Sequence, residues 1–307
     1  MKEIRVLSPV GMLGYGFPAE SFQKGLEKKP HVIAADAGST DAGPHKLGAG
    51  VGIVSKEATK KDLTLMLTAG CEYKIPVIIG SAGGSGAEVH LNWTSEIVKE
   101  IAKEKNLHFK MALIHAEVEK DYLQKKLAKG KIKPLGPVPE LTSKDIEEAT
   151  RIVAVMGTHS YIKALEMGAE VIIAGRSNDP AMFAALPIKE GYDPGLALHM
   201  GKILECGAMA STPGTTSDCM MAYLREDCFI VEPTNTMRKC IPSTVAAHTL
   251  YEKSSPLHII GPEGVVDVTG CKFEQYSERA VKVSVSYTHL RAHETPEHLV
   301  CRLLLEK

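Results

Sequence analysis

An α/β architecture, with a mostly parallel sheet flanked by helices in Rossmann-like layers, is predicted by three features of the sequence. Short apolar runs recur along the chain, each is closed by a glycine-rich or polar turn, and the turns lead into segments of helical periodicity. Strands that are apolar along nearly their whole length suit burial on both faces, which is what helices packed over a parallel sheet provide.

The runs that read as strands are 4–9, 32–36, 77–81, 110–115, 152–157 and 171–175. Between them, residues 96–104 put Ile97, Val98 and Ile101 on one stripe with charges opposite, the pattern of a surface helix. A second helix is predicted to start at Thr142 or Ser143, either of which is a good N-cap, with acidic residues in its first turn. A third spans 159–167, carries Tyr161, Ile162 and Leu165 at helical spacing, and stops at Gly168 as a C′ glycine. Three prolines and two glycines in 130–139 predict a connector or lid. Beyond Gly207 the pattern is less periodic, and 229–233, 265–268 and 281–284 read as strands.

Thirty-six Lys and Arg against 37 Asp and Glu leave no net field to gather nucleic acid or an anionic membrane, so neither is expected as a partner. The first seven residues lack the long apolar centre of a signal peptide, and no stretch reaches the ~18 to 20 apolar residues of a membrane span. Seven cysteines, odd in number and without a Cys-x-x-Cys pair, predict reduced thiols and a cytoplasmic location.

The segment from about 286 to 307 resembles translated sequencing-adapter read-through, so it is expected to be a non-native tail behind a domain of 1–285. His289, His293, Glu294 and His298 invite a zinc reading there. The His293–His298 spacing is one residue too long for the helical zincin motif, and Pro296 would break the helix, so no metal site is assigned.

In open α/β sheets, ligands gather at the carboxyl ends of the strands. Three strand-end turns are candidates. Asp36, Ser39, Thr40 and Asp41 follow the second strand; the two aspartates are able to hold a metal or act as base, and Ser39 and Thr40 to bind an oxyanion, against a plain turn-capping role. Gly80, Ser81, Gly83, Gly84 and Ser85 form a glycine-rich loop suited to cradling a carboxylate, phosphate or thioester carbonyl, or to a tight turn, and match neither a Walker loop nor a dinucleotide fingerprint. Arg176, Ser177, Asn178 and Asp179 make the sharpest motif: the Arg is able to fork onto a substrate carboxylate while Asp179 orients it or serves as base, or the two simply pin the loop. His115 and His159 end two further strands and could shuttle protons, although a lone strand-end His is more often structural. Glu205 and Cys206 read as a helix end.

Residues 168–187 and 204–208, followed by 231–233, 250–252 and 265–270, resemble the N-terminal part of the acyclic terpene utilisation (AtuA) family, in order across most of 4–284. The opening Gly11-Met-Leu-Gly14-Tyr-Gly16 departs from the glycine-serine-glycine-aspartate style of many members. The resemblance implies breakdown of branched, terpenoid-like acids and a smaller C-terminal domain, before which this sequence is expected to be truncated.

The resulting expectation is an enzyme of carboxylic-acid or acyl-thioester catabolism, of lyase or hydratase type, with Arg176 as anchor, the 80–86 loop as cradle and Asp36 or His115 as base. The alternatives are a non-catalytic binding subunit and, less favoured, a nucleotide-dependent oxidoreductase. The expected partners are a small acid or acyl-thioester and a second subunit, of the same or another kind. No cofactor is assigned.

Overall fold

The computed structural model describes residues 3–38, 43–134, 137–253 and 255–290, with only the backbone of Gly43 and of 287–290. The parallel half is built first. β1 (Ile4–Ser8) leads to α1 (Ala19–Glu27), β2 (Val32–Asp36) to α2 (Gly43–Ala49) and α3 (Lys56–Tyr73), and β3 (Val77–Gly80) to α4 (Glu88–Lys105). β4 (Met111–Ile114) precedes α5 (Lys120–Ala128), α6 (Ser143–Glu148) and α7 (Thr158–Glu166); β5 (Val171–Ala174) precedes α8 (Ala181–Lys189) and α9 (Pro194–Leu204). Then come β6 (Met220–Leu224), β7 (Cys228–Pro233), α10 (Pro242–Thr249), β8 (His258–Gly261), β9 (Gly264–Asp267), β10 (Lys272–Gln275), β11 (Val281–Ser284) and β12 (Tyr287–Leu290).

Nine strands form one sheet in the order β10-β11-β7-β6-β1-β2-β3-β5-β4. Neighbours from β1 to β4 pair parallel, whereas β6, β7, β11 and β10 extend the sheet antiparallel from the other side of β1. β12, β9 and β8 form a separate antiparallel sheet. The fold is therefore α/β with a mixed sheet whose parallel core is flanked by helices.

Side chains alternate across the parallel strands with period two. Val6, Val32, Ala34, Ile78, Ala112 and Ile172 join the core beneath α7, α8, α9 and α10. Leu7, Ile33, Ala35, Ile79, Leu113 and Ile173 join the core beneath α1, α3 and α4. Each large side chain buried this way contributes roughly 1.5–3 kcal/mol, which explains why these strands read as unbroken apolar runs.

The helix signals act locally as expected. Thr142 caps α6 in a capping box with Asp145, and Gly168 ends α7 with φ +81°. The predicted 96–104 helix is the C-terminal part of the longer α4. The expected strand at 152–157 is a correction: it makes only isolated bridges, Glu117 to Val153 and Met156 to Ser177. Its amides instead lace the turns after β4 and β5 together, Ala154 N–H donating to Ala116 O at 2.8 Å and Met156 N–H to Arg176 O at 3.0 Å. A segment crossing strand ends cannot extend a ladder, however apolar it is. Within 130–139 the described residues form no regular element. His293, Glu294 and His298 lie outside the described residues, and β12 pairs its backbone with β9 from Tyr287–Asp267 to Leu290–Gly264.

Candidate functional site

Adjacent parallel strands bring the three strand-end turns onto one rim. Ala37 N–H donates to Gly80 O at 3.0 Å, Ser81 N–H to Gly175 O at 3.1 Å, and Ser177 N–H to Ser81 Oγ at 3.2 Å. Beneath that rim, Tyr161 Oη and Ser177 Oγ are 2.6 Å apart, and Ser177 Oγ donates to Gly175 O, so Tyr161 donates upward. Ser81 holds a left-handed backbone, φ 48°, a conformation costing a non-glycine residue roughly 1 kcal/mol or more. That twist sets its hydroxyl between Ser177 O, 3.5 Å away, and the Asp36 carboxylate, whose acidity the Ser81 hydroxyl and the Gly38 amide both favour.

A cavity of about 170 Å³ opens above these turns. The turn after β1 supplies Gly11, Met12 and Tyr15; the turn after β2 supplies Asp36 and Gly38; the turn after β5 supplies Arg176 and Asp179. The C-terminal ends of α9 and α10 complete it with Glu205, Cys206, Tyr251 and Glu252. Ser8 ties β1 to this wall by donating from Oγ to Leu204 O at 2.9 Å. Gly38 is favoured by crowding, because a Cβ there would lie 2.8 Å from Ser81 Cβ, which is fixed to the backbone, and 2.6 Å from Arg176 Nη1.

The electrostatics are dominated by burial. Asp36 is 5% exposed, and its Oδ1 has no hydrogen-bond partner among the described residues. Burial, then the charge of Asp179, pushes its carboxyl up to about 7 despite Arg176, the Gly38 amide and the Ser81 hydroxyl. Arg176 Nη2 lies 3.9 Å from Asp179 Oδ1, a loose pair that leaves guanidinium donors available to a ligand. Behind Glu205 sits Lys202, fully buried and hydrogen-bonded to Glu205 Oε1, with its ammonium 5.3 Å from the Tyr251 ring centre. Burial raises the Glu205 carboxyl, Lys202 opposes that, and Asp179 adds to it. Burial, followed by the Glu205 charge, also raises the Cys206 thiol, so it is not a ready nucleophile.

Of the residues expected to act, Asp36, Arg176 and Asp179 meet in this cavity. His115 does not line it. It sits beyond β4 with Nδ1 2.7 Å from Glu88 Oε2, in a separate groove with Glu117 and Arg151. Gly80, Ser81, Gly83, Gly84 and Ser85 are all buried and none lines the cavity. Their loop is a packing device: Gly86, at φ +68°, lets Arg176 approach so closely that a Cβ would lie 2.0 Å from the Arg176 nitrogen. Ser177 and Asn178 support the turn from below, Asn178 N–H donating to Met156 O at 2.7 Å. Ser39, Thr40 and Asp41 lie outside the described residues. Glu205, Cys206, Tyr251 and Glu252 were not expected as site residues, yet 204–208 and 250–252 are among the segments that carry the family resemblance.

Fold and cavity together define an α/β protein with a small, charged cleft at the carboxyl ends of parallel strands, the usual ligand position in open sheets. Residues 56–302 match the model of the acyclic terpene utilisation family protein AtuA, and the chain belongs to that family. The match includes Arg176, Asp179, Glu205, Cys206, Tyr251 and Glu252, and begins after the β1 and β2 turns that supply the rest of the cavity. No curated protein and no solved structure matches the chain. Among the described residues no helix is long and apolar enough to cross a membrane.

Proposed function

We propose that this chain is a lyase- or hydratase-type enzyme that moves a proton next to a carboxylate or thioester carbonyl of a branched, terpenoid-type acid. The observation that carries the reading is the juxtaposition of Asp36 and Arg176 in one cavity, with the Asp36 carboxyl near 7. A carboxyl poised there serves as proton acceptor and donor at neutral pH, where an ordinary aspartate is too weak a base.

In the proposed step, the Asp36 carboxylate takes the proton from the carbon beside the carbonyl, and the electron pair moves onto the carbonyl oxygen. Arg176 neutralises that charge by charge-assisted hydrogen bonds. The enolate then collapses, either expelling a β-hydroxyl as water with the proton from Asp36, or taking the proton back. The reverse adds water to the double bond. A cavity of about 170 Å³ suits the acid head group, and the hydrocarbon remainder would leave past Tyr15 and Tyr251, which are about half exposed at its mouth.

The test is conversion of branched 2-alkenoyl and 3-hydroxyacyl acids and thioesters, followed by the absorbance of the conjugated double bond. Asp36→Asn is expected to lower kcat about 1000-fold or more with KM little changed, within the range of a general base. Full activity in that variant refutes the mechanism, and tight binding of every substrate without conversion by the wild type refutes the enzyme reading in favour of a binding subunit.

A further inference from the structure

Glu205 and Cys206 follow the last residue of α9, and His248 lies in the last turn of α10. A carboxylate oxygen, the Sγ and a ring nitrogen from these residues lie within 4.8 Å of one another. Glu205 and His248 are only 3% and 5% exposed, yet Glu205 Oε2 and His248 Nε2 have no hydrogen-bond partner among the described residues. An orphaned buried polar atom costs roughly 1–3 kcal/mol. Two of them in one cluster, beside a thiol, is an arrangement that a ligand would relieve.

We propose that Glu205, Cys206 and His248 form a three-ligand site for a zinc-class divalent transition metal, with its fourth position open to the cavity. The donor set is one imidazole, one sulfur and one carboxylate, the mixture that selects zinc or its neighbours, whereas magnesium and calcium take oxygen alone. Ligand atoms bound at roughly 2.0–2.3 Å around a tetrahedral ion stand about 3.3–3.8 Å apart, so the cluster needs to contract by about 1.5 Å at most. A thiolate and a carboxylate offset the dication, and the Lys202 ammonium on Glu205 leaves the site one positive charge in excess, which suits an anionic fourth ligand. Lys202 and the Cys206 thiol, 4.0 Å away, both face Glu205 Oε1, whereas Oε2 has no partner among the described residues and is the oxygen left for a metal once the thiol proton is released. Glu205 and Cys206 also line the cavity, so an ion held between them and His248 is reachable by a ligand there. Three protein ligands and an open position are the pattern of catalytic zinc, not structural zinc. The binding site stands on this geometry alone; only the use of the ion, as a Lewis acid toward the substrate carbonyl oxygen, rests on the proposed reaction.

The test uses the full chain, stripped with a chelator and titrated with Co²⁺ while the visible and near-ultraviolet spectrum is recorded. One equivalent is expected to bind, with a thiolate-to-cobalt charge-transfer band that Zn²⁺ displaces. Cys206→Ser removes the band, His248→Ala weakens binding tenfold or more, and Cys71→Ser changes nothing; far-ultraviolet circular dichroism checks folding. If Cys206→Ser does not fold, alkylation of the wild type decides: Zn²⁺ is expected to slow modification of Cys206 and not of Cys71. Absence of the band, its survival in folded Cys206→Ser, unchanged affinity in folded His248→Ala, or equal alkylation with and without Zn²⁺ overturns the proposal. Cobalt binding without any turnover would sink the reaction and leave the site standing, and turnover by a chain that takes up no metal would do the reverse.

Discussion

Replacing Asp36 by Asn should make the protein more stable, and the gain should depend on pH. An isolated carboxyl titrates near 3.8, and burial, with Asp179, lifts this one to about 7. At ~1.4 kcal/mol per pH unit, that interval corresponds to roughly 4 kcal/mol as an upper bound. Below pH ~4 both the folded and the unfolded chain hold the proton, so the raised value costs nothing. Between about 4 and 7 the unfolded chain releases a proton that the folded chain keeps, and stability falls as pH rises, levelling off above about 7. Asn cannot ionise and escapes that loss. Urea unfolding of wild type and Asp36→Asn in parallel, from pH 4 to pH 8.5, should show a difference in ΔG that grows by up to ~4 kcal/mol in favour of the variant. The remaining ionisable groups are common to both proteins, so the comparison isolates position 36. A difference that stays flat across this range would refute the argument that burial holds the Asp36 carboxyl up.

Arg176→Ala should abolish the thermal stabilisation given by carboxylate ligands while leaving circular dichroism unchanged, because the side chain packs at the cavity wall and not in the core; retained stabilisation would remove Arg176 as anchor. Gly86→Ala should destabilise by about 3 kcal/mol or more in urea, since its Cβ would meet the Arg176 backbone and its φ is +68°; a loss under about 1 kcal/mol would show that the loop yields easily. Lys202→Met should cost roughly 3–5 kcal/mol by leaving Glu205 buried and unpaired, and Glu205→Gln in the same chain should recover part of it, as measured by a double-mutant cycle. Thr142→Ala should cost ~1 kcal/mol and speed hydrogen exchange in α6, where the capping box is lost.

The parallel half of the sheet was legible because its strands are buried on both faces and punctuated by turn residues. β6 was not, since Met220, Met221 and Ala222 have weak strand preference and the β6–β7 pairing depends on tertiary contacts. The 152–157 segment misled because its apolar content matches a strand, whereas its hydrogen bonds join turns. In the site, Asp36, Arg176 and Asp179 were readable from one rule, that charged residues just past parallel strands face a ligand. Glu205, Cys206, Tyr251 and Glu252 were not, because helix ends 30 to 75 residues beyond β5 carry no local sign of which strand turn they will cover. His115 shows the limit of that rule: β4 is the edge strand of the sheet, and its turn opens onto a different groove.

Because the cleft borrows its walls from positions as far apart as Gly11 and Glu252, it belongs to no contiguous stretch of the polypeptide. Opening that cleft to water would lower the Asp36 carboxyl toward its ordinary value, because burial is the largest cause of its rise. On the proposed reaction, proton transfer at neutral pH would therefore depend on the whole cleft being assembled, helix ends and strand turns together.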